Sequence, residues 1–186
     1  EKDKYLDIII KEATRLSNLS NSILYLSKVE KQSILTDKSN YDVGEQIRQA
    51  ILLEMQKIEE KNLELDLDIF DYKLCLNEDS IEQVWINILD NAIKFSDKDK
   101  SLYITSYLED NWYVVKFKDE GIGIPDDDLP FVFEKFYKAD KSHSEEGNGL
   151  GLSLVKRIIE LHKGSIEIKS KVGLGTVVIV KLPIDN

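Results

Sequence analysis

The sequence predicts an α+β fold: a two-layer sandwich in which a mixed sheet is covered on one face by helices and is preceded by one long helix. Apolar residues recur at intervals of three or four over several long segments, which is the period of an amphipathic helix. Shorter segments rich in β-branched and aromatic residues occur in pairs around turn residues, as in hairpins. Because helices and strands mix without strict β-α-β alternation, the pattern favours an α+β sheet with helices on one face.

The long first helix is predicted over residues 3–31, where apolar residues follow one face. They are Leu6, Ile9, Ala13, Leu16, Leu19, Ile23, Leu26 and Val29. Such a stripe suits a helix that packs in a bundle, and it suits a core helix of the main domain equally well. Residues 31–42 have the composition of a loop, with Asp42 placed to cap the next helix, so we expect a domain boundary there.

The remaining elements follow from the same two periodicities. Helices are predicted over residues 43–61, 78–95 and 150–162. Strands are predicted over residues 63–69, 73–76, 102–108, 112–118, 165–170 and 176–182, and the last four form two hairpins.

The composition is that of a globular protein of 186 residues, with 42% hydrophobic and 32% charged residues. The net charge of −10 repels nucleic-acid backbones and anionic lipid surfaces, so we expect no nucleic-acid partner, and a small phosphate ligand needs a locally basic site. Cys75 is the only cysteine; it excludes an internal disulfide, and we expect its side chain to be buried. With neither a signal-peptide pattern nor an apolar run of about 18 residues, we expect a cytoplasmic chain.

The helix predicted over residues 78–95 carries a polar stripe opposite its apolar face. Gln83, Asn87, Asn91 and Lys94 follow each other at spacings of four, four and three. A neutral amide oxygen can complete the oxygen shell of Mg²⁺ without repelling phosphates, and a lysine one turn further on can bind a phosphate. The alternative is an ordinary solvated face.

Two glycine-containing segments also have features that suit the binding of a nucleotide. In residues 119–125 (DEGIGIP), the carboxylate of Asp119 can accept a hydrogen bond from the amino group of adenine, and Gly121 and Gly123 let the backbone approach a planar ring. Residues 147–152 (GNGLGL) lead into a helix, whose first N–H groups can bind an anion. Taken alone, a segment like the first is more often an ordinary turn, and the second is equally a flexible hinge.

In this order the three segments resemble the ATP-binding domain of sensor histidine kinases, in the superfamily called GHKL. Residues 131–137 (FVFEKFY) are similar to the phenylalanine box of that family, and residues 173–176 (GLGT) to its last glycine motif. The resemblance implies a Bergerat-type ATP-binding fold. It also implies three parts: residues 1–32 as the second helix of the dimerisation and phosphotransfer hairpin, residues 33–42 as a linker and residues 43–186 as the catalytic domain.

The resemblance implies ATP and Mg²⁺ as cofactors and assigns roles to individual residues. Asn91 is the expected metal ligand, Asp119 the expected adenine acceptor, and Lys94 and Lys138 the expected catalytic lysines. The full set of expected nucleotide-binding residues is Asn87, Asn91, Lys94, Phe95, Asp119, Gly121, Gly123, Ile124, Lys138, His143, Gly147, Gly149, Leu150, Gly151, Leu152 and Thr176.

Residues 138–147 are expected to form a mobile lid, because they are long, polar and end in glycine. In the family this lid usually carries arginines that reach the γ-phosphate; here the corresponding places hold Lys138 and His143. Lysine keeps the charge without the bidentate geometry, and neutral histidine contributes less. His162 is expected to be structural.

For the intact protein, the resemblance implies transfer of the γ-phosphoryl group of MgATP to a histidine outside this chain, then to an aspartate in a response-regulator receiver domain. The expected partners are ATP or ADP, that receiver domain and a second copy bound through the helical hairpin. Contact with the membrane is expected only through upstream segments. Two alternatives are an anti-sigma-type serine kinase of the same superfamily and a nucleotide-sensing scaffold whose lid has decayed.

Overall fold

The structure is a computed structural model that describes residues 2–31, 37–138 and 148–184. The helices are α1 (Lys2–Lys31), α2 (Val43–Leu53), α3 (Met55–Glu60), α4 (Glu78–Phe95) and α5 (Gly151–Leu161), with a short 3-10 helix at Leu129–Phe131. The strands are β1 (Ser39–Asp42), β2 (Glu64–Asp68), β3 (Lys73–Leu76), β4 (Ser101–Glu109), β5 (Trp112–Asp119), β6 (Ser165–Lys171) and β7 (Gly175–Pro183).

The main sheet has five strands in the order β2-β4-β5-β7-β6. Strand β2 runs parallel to β4, and the other neighbours are antiparallel, so the sheet is mixed. Its strands alternate between a face buried against helices, with Ile104 and Phe117, and an outer face with Tyr103 and Lys118. The predicted α+β sandwich with one long preceding helix is confirmed.

A second sheet pairs β1 with β3, and it corrects two expectations. Residues 39–42 form a strand instead of a loop, because they pair with β3 in an antiparallel arrangement. Their polar sequence lacks the alternation of apolar and polar residues by which a strand is predicted. Cys75 is exposed instead of buried. Strand β3 turns Leu74 and Leu76 into the core, and the period of two then directs Cys75 outward.

The helix predicted over residues 43–61 is interrupted at Glu54, which separates α2 from α3. The backbone of Glu54 departs from helical values, with φ −95° and ψ 1°, and its N–H donates to the carbonyls of Ala50 and Ile51. Helix α2 buries Ile47 and Ala50, and after the interruption α3 buries Ile58. Both short helices on either side of the break therefore contribute residues to the core.

Helix α1 has two different surroundings along its length. Near its end, Leu26 and Val29 are buried in the core, and Glu30 forms an ion pair of 2.5 Å with Lys135. Earlier in the helix several large apolar side chains are exposed: Tyr5, Leu6, Ile9, Ile10, Leu16 and Leu24. In the parts of the chain that the structure describes, no helix is long and apolar enough to cross a membrane.

Candidate functional site

A pocket of about 510 Å³ lies between α4, the turn after β5, the start of α5 and the hairpin of β6 and β7. Most of the predicted site residues line it: Asn87, Asn91, Lys94, Phe95, Asp119, Gly123, Ile124, Lys138, Gly149, Gly151, Leu152 and Thr176. His143 and Gly147 lie outside the described residues, as does most of the predicted lid. Segments far apart in the sequence therefore meet at one cavity.

Two predicted residues take positions beside the pocket. Gly121 stands behind Asp119, where its N–H donates to Oδ1 of that carboxylate at 2.9 Å. The side chain of Leu150 is 1% exposed and belongs to the hydrophobic core, and its N–H donates to Oδ1 of Asn148 at 3.2 Å. Both residues support the wall of the pocket from behind.

Helix α4 begins at a side-chain cap and presents Asn87, Asn91 and Lys94 of its polar stripe to the pocket. Asn77 accepts a hydrogen bond from the N–H of Ser80 at 2.9 Å, which satisfies one of the first N–H groups of the helix. The opposite face is fully buried and includes Trp85, whose indole N–H donates to Gln46 at 3.0 Å. Since that face is fixed in the core, Asn87, two positions after Trp85 and so on the other side of the helix, is directed to the cavity together with Asn91 and Lys94.

Asn87 lies where α4 meets α5. Its Nδ2 donates to the carbonyl of Gln83 at 2.7 Å, and its Oδ1 would stand 2.8 Å from a Cβ added at Gly151. Any larger residue at Gly151 would displace this amide. The ammonium of Lys94 lies 4.6 Å from the centroid of the Phe95 ring, in a cation–π arrangement beside the cavity.

Asp119 ends β5 and is buried at the base of the pocket, with 6% of its surface exposed. Its Oδ1 accepts hydrogen bonds from the N–H groups of Gly121, at 2.9 Å, and Thr176, at 3.0 Å. Burial raises the pKa of this carboxyl, and the hydrogen bonds from the backbone oppose that rise. The two backbone donors fix the orientation of this buried carboxylate.

The turn after Asp119 is joined closely to its neighbours. A Cβ at Gly121 would lie 2.3 Å from the carbonyl oxygen of Phe95, and the N–H of Ile122 donates to that same oxygen at 3.1 Å. The N–H of Ile124 donates to Oγ of Ser170 at 2.8 Å. The turn is therefore tied to the end of α4 on one side and to β6 on the other.

The first residues of α5 form the opposite wall of the pocket. The helix starts at Gly151, so the N–H groups of its first turn, which have no partner within a helix, lie beside the cavity. Gly149 adopts a φ of 68°, and its carbonyl accepts from the N–H of Phe136 at 2.8 Å. N–H groups at the start of a helix, together with the positive end of the helix dipole, suit an anionic group.

The phenylalanine-box segment closes one side of the cavity. The ring of Tyr137 lies 5.6 Å from that of Phe131, and its hydroxyl donates to the carboxylate of Asp128. The lining also includes residues that the sequence did not assign to the site, among them Val132, Tyr137, Asn148, Ile168 and Val172. Val132 and Tyr137 belong to the phenylalanine-box segment, which could have indicated them. Ile168 and Val172 show only the pattern of a predicted hairpin.

The fold and the pocket define the class of protein, an ATP-binding domain of the α+β type. A family model described as histidine kinase-, DNA gyrase B- and HSP90-like ATPase matches residues 76–186, more than half of the chain. The chain belongs to this family and, within it, to the sensor histidine kinases.

Similar proteins bear the name of that group. The signal transduction histidine-protein kinase ArlS of Staphylococcus aureus is 34% identical over 94% of this chain, which spans 39% of the length of ArlS. The histidine kinase AdeS of Acinetobacter baumannii superposes with a TM-score of 0.79 at 26% identity, covering 95% of this chain and 82% of that one. The histidine kinase ThkA, solved in complex with the response regulator TrrA, superposes with a TM-score of 0.77 at 28% identity, covering 97% of this chain and 51% of that one.

Proposed function

We propose that this chain is the MgATP-binding catalytic part of a protein-histidine kinase. The observation that carries the proposal is the buried carboxylate of Asp119, at the base of the pocket that Lys94, Lys138 and the start of α5 also line. An acceptor-only group at the base suits the amino group of adenine, and cations with helix N–H groups suit a triphosphate. The histidine-kinase names of the relatives favour this enzyme over a serine kinase of the same superfamily.

The residues of the pocket fit both cofactors. Oδ1 of Asp119 is held by two backbone donors, and we assign the second oxygen of that carboxylate to the adenine amino group. Thr176 holds the carboxylate from the β7 side, and Asn87, Lys94 and Lys138 are assigned to phosphates. The amide of Asn91 is assigned to Mg²⁺, whose chemistry when bound is to neutralise charge on the phosphate oxygens.

For the intact protein we propose phosphorylation of a histidine outside this chain, followed by transfer to an aspartate of a receiver domain. Helix α1 would contribute to a homodimer as the second helix of a hairpin, and segments outside this chain would anchor the protein in the cell membrane. The complex of ThkA with a response regulator supports the choice of partner. Positioning and charge stabilisation provide most of the catalysis in such transfers, which suits a site built from amides, lysines and helix N–H groups.

Isothermal titration calorimetry with MgATP and MgGTP tests the assignment of the base. We expect ATP to bind and GTP to bind much more weakly, because the carbonyl of guanine would face the carboxylate of Asp119. The Asp119→Ala variant should lose about 1.5–3 kcal/mol of binding free energy, the range for a hydrogen bond to a charged group. Equal affinity of the wild type for ATP and GTP would refute the assignment.

The same titrations at several Mg²⁺ concentrations test the metal ligand. We expect Asn91→Ala to bind ATP with an affinity that no longer depends on Mg²⁺. Gln83→Ala is the matched control, since Gln83 lies on the same helix and does not belong to the lining of the pocket among the described residues. A magnesium dependence that is the same in Asn91→Ala and wild type would remove Asn91 from the site.

A further inference from the structure

The C-terminal end of α4 forms part of the site and needs hydrogen-bond donors from other elements of the fold. Lys94 and Phe95, which both line the pocket, are its last residues. The final carbonyls of any α-helix have no partner within the helix, so such an end frays unless other groups bind them. In α4 the carbonyl of Ala92 accepts from both the N–H and the hydroxyl of Ser96, at 3.2 and 2.7 Å.

The carbonyls that follow converge on one side chain from another element. The ammonium of Lys61, just after α3, lies 2.8 Å from the carbonyl oxygen of Ile93 and 2.7 Å from those of Lys94 and Ser96. An ammonium group has three N–H donors, so its capacity matches these three acceptors. The remaining carbonyl, that of Phe95, accepts from the N–H of Ile122 in the turn after Asp119.

The backbone around Lys61 is itself anchored to the loop that follows α4. The carbonyl of Lys61 accepts from the N–H of Asp99 at 3.0 Å, and Nδ2 of Asn62 donates to Oδ1 of Asp99 at 2.6 Å. These bonds hold the base of the lysine side chain near the helix end before its ammonium binds. Less side-chain freedom is then lost when the three hydrogen bonds form.

We propose that Lys61, which does not line the pocket among the described residues, is a positioning residue that sets nucleotide affinity by fixing the end of α4 against the turn at residues 119–125. Without the ammonium, three carbonyls lose their donor together. The end of α4 then moves, and with it Lys94, Phe95 and the hydrogen bond from Ile122 to Phe95. The inference rests on the proposed function, because it assumes that nucleotide binds in this pocket.

Calorimetry with MgATP on wild type, Lys61→Met, Lys61→Arg and Lys100→Met tests the role. All titrations are made at a temperature where circular dichroism shows each variant to be folded. We expect Lys61→Met to bind roughly tenfold more weakly, the factor that corresponds to the loss of about one hydrogen bond between nucleotide and protein. Arginine keeps the charge and N–H donors but is longer and planar, so it should restore only part of the affinity. Lys100→Met, which removes an exposed positive charge from the same loop region, should bind as wild type does.

The rate of hydrogen exchange at the amide of Ile122 is a second measurement, independent of nucleotide affinity. We expect faster exchange in Lys61→Met than in Lys100→Met, because the acceptor of this amide is the carbonyl of Phe95. If the methionine variant does not fold, Lys61→Gln is judged by the same measurements.

The possible outcomes separate the two claims. Failure of the wild type to bind MgATP would refute the proposed function itself. Binding by the wild type with equal affinity in Lys61→Met would refute only the role of Lys61. A loss that Lys100→Met shares, a loss that arginine does not relieve, or unchanged exchange at Ile122 would each refute that role as well.

Discussion

At the scale of single residues, the role in adenine binding that we propose for Asp119 has a cost in stability. Its carboxylate is buried at the base of the pocket, and burial raises its pKa because the charged form has left water. Two backbone N–H groups donate to its Oδ1, which reduces the penalty. A group whose charge destabilises the unliganded fold is expected at a binding site, where the ligand supplies the missing interaction.

We therefore predict that Asp119→Asn is more stable than wild type and binds ATP more weakly. The asparagine oxygen can keep the bonds from Gly121 and Thr176, whereas its amide would point a donor at the amino group of adenine. We expect the free energy of unfolding to rise by roughly 0.5–2 kcal/mol, the range for stabilising changes at functional sites. Urea denaturation at neutral pH measures the first effect and calorimetry the second; a less stable variant would contradict the prediction.

The difference in stability between Asp119→Asn and wild type should depend on pH in a definite direction. The folded pKa of Asp119 lies above the ordinary value of 3.8, so the folded state binds the proton more tightly than the unfolded state does. The stability of the wild type therefore declines as the pH rises from 3.8 through the folded pKa, and the asparagine variant lacks this decline. The gap between the two proteins should be widest above the folded pKa and narrow in acid.

Gly173, in the turn between β6 and β7, and Gly175, the first residue of β7, can be compared by the same substitution. Gly173 and Gly175 have φ angles of 77° and 93°, so alanine is strained at both. A Cβ at Gly173 would meet no atom within 4 Å, whereas at Gly175 it would lie 2.0 Å from the carbonyl oxygen of Asp119.

We predict that Gly173→Ala lowers the free energy of unfolding by about 1–2 kcal/mol, the value for one alanine in the left-handed region. Gly175→Ala should lower it further and should also weaken ATP binding, because the end of β5 must move away. Urea denaturation of both variants measures the loss of stability, and calorimetry measures the loss of ATP affinity. Equal losses of stability at the two positions would show that the contact with Asp119 has no effect.

At the scale of elements, α4 is held at both ends by side chains from other parts of the fold. Lys61 binds its last carbonyls, and His162, just after α5, accepts from the N–H of Asn77, the N-cap residue of α4. His162 is fully buried; its Nε2 accepts from the N–H of Asn77 at 3.2 Å, so the proton resides on Nδ1, which donates to the carbonyl of Ile158 at 2.8 Å. The expectation that His162 is structural agrees with these contacts.

The buried imidazole predicts a loss of stability in weak acid. Burial lowers the pKa of His162 below its ordinary value of 6.5, and the nearby charge of Lys38 lowers it further, while the bond to Ile158 acts in the opposite direction. The unfolded state therefore takes up a proton first, and stability falls as the pH drops from 6.5 towards the folded pKa, by at most about 1.4 kcal/mol per pH unit. Above pH 6.5 this contribution is constant.

Chemical denaturation between pH 7.5 and 5.5 measures the effect. We expect His162→Gln to be less stable than wild type at neutral pH and to show a flatter dependence on pH in this window, where most carboxylates remain ionised. His143→Gln is the control for removing a histidine. If wild type and His162→Gln showed the same slope, His162 would not be the group responsible.

At the scale of the whole molecule, the two ends of α1 face different surroundings. Its last turns are buried against the core, while Ile9 and Leu16 are 63% and 65% exposed, together with neighbouring apolar side chains. An apolar stripe on an exposed helix is typical of a surface that pairs with other helices. The buried end of α1 fits the interpretation as a core helix, and packing of its exposed end in a bundle stays a prediction.

We predict that the chain associates with itself in a concentration-dependent manner through this stripe. Replacing Ile9 and Leu16 together by lysine should make the protein monomeric, because each buried apolar side chain contributes about 1.5–3 kcal/mol. Leu52→Lys, at an exposed leucine of α2, is the control. Light scattering over a range of concentrations gives the mass; a monomeric wild type would contradict the prediction.

The candidate site was largely predictable because its residues occur in short motifs. Asn87, Asn91 and Lys94 share one helix face by spacing alone, and Asp119 stands directly before its glycine turn. Lys61 was not predictable in this way: it lies at the end of a predicted helix, and its partners are backbone carbonyls more than 30 positions away. Every residue has a backbone carbonyl, so the pattern of side chains does not indicate which carbonyls will accept a hydrogen bond.

By itself, the sequence determined the class of fold, the position of most helices and strands, and the family, since these depend on local periodicity and on motifs in a fixed order. Only the tertiary structure decided that β2 runs parallel to β4, that β1 pairs with β3 and exposes Cys75, and that Thr176 donates to Asp119 across 57 positions. Periodicity selects which face of a segment is buried, whereas strand pairing and helix-end contacts depend on which distant segments the collapsed chain brings together.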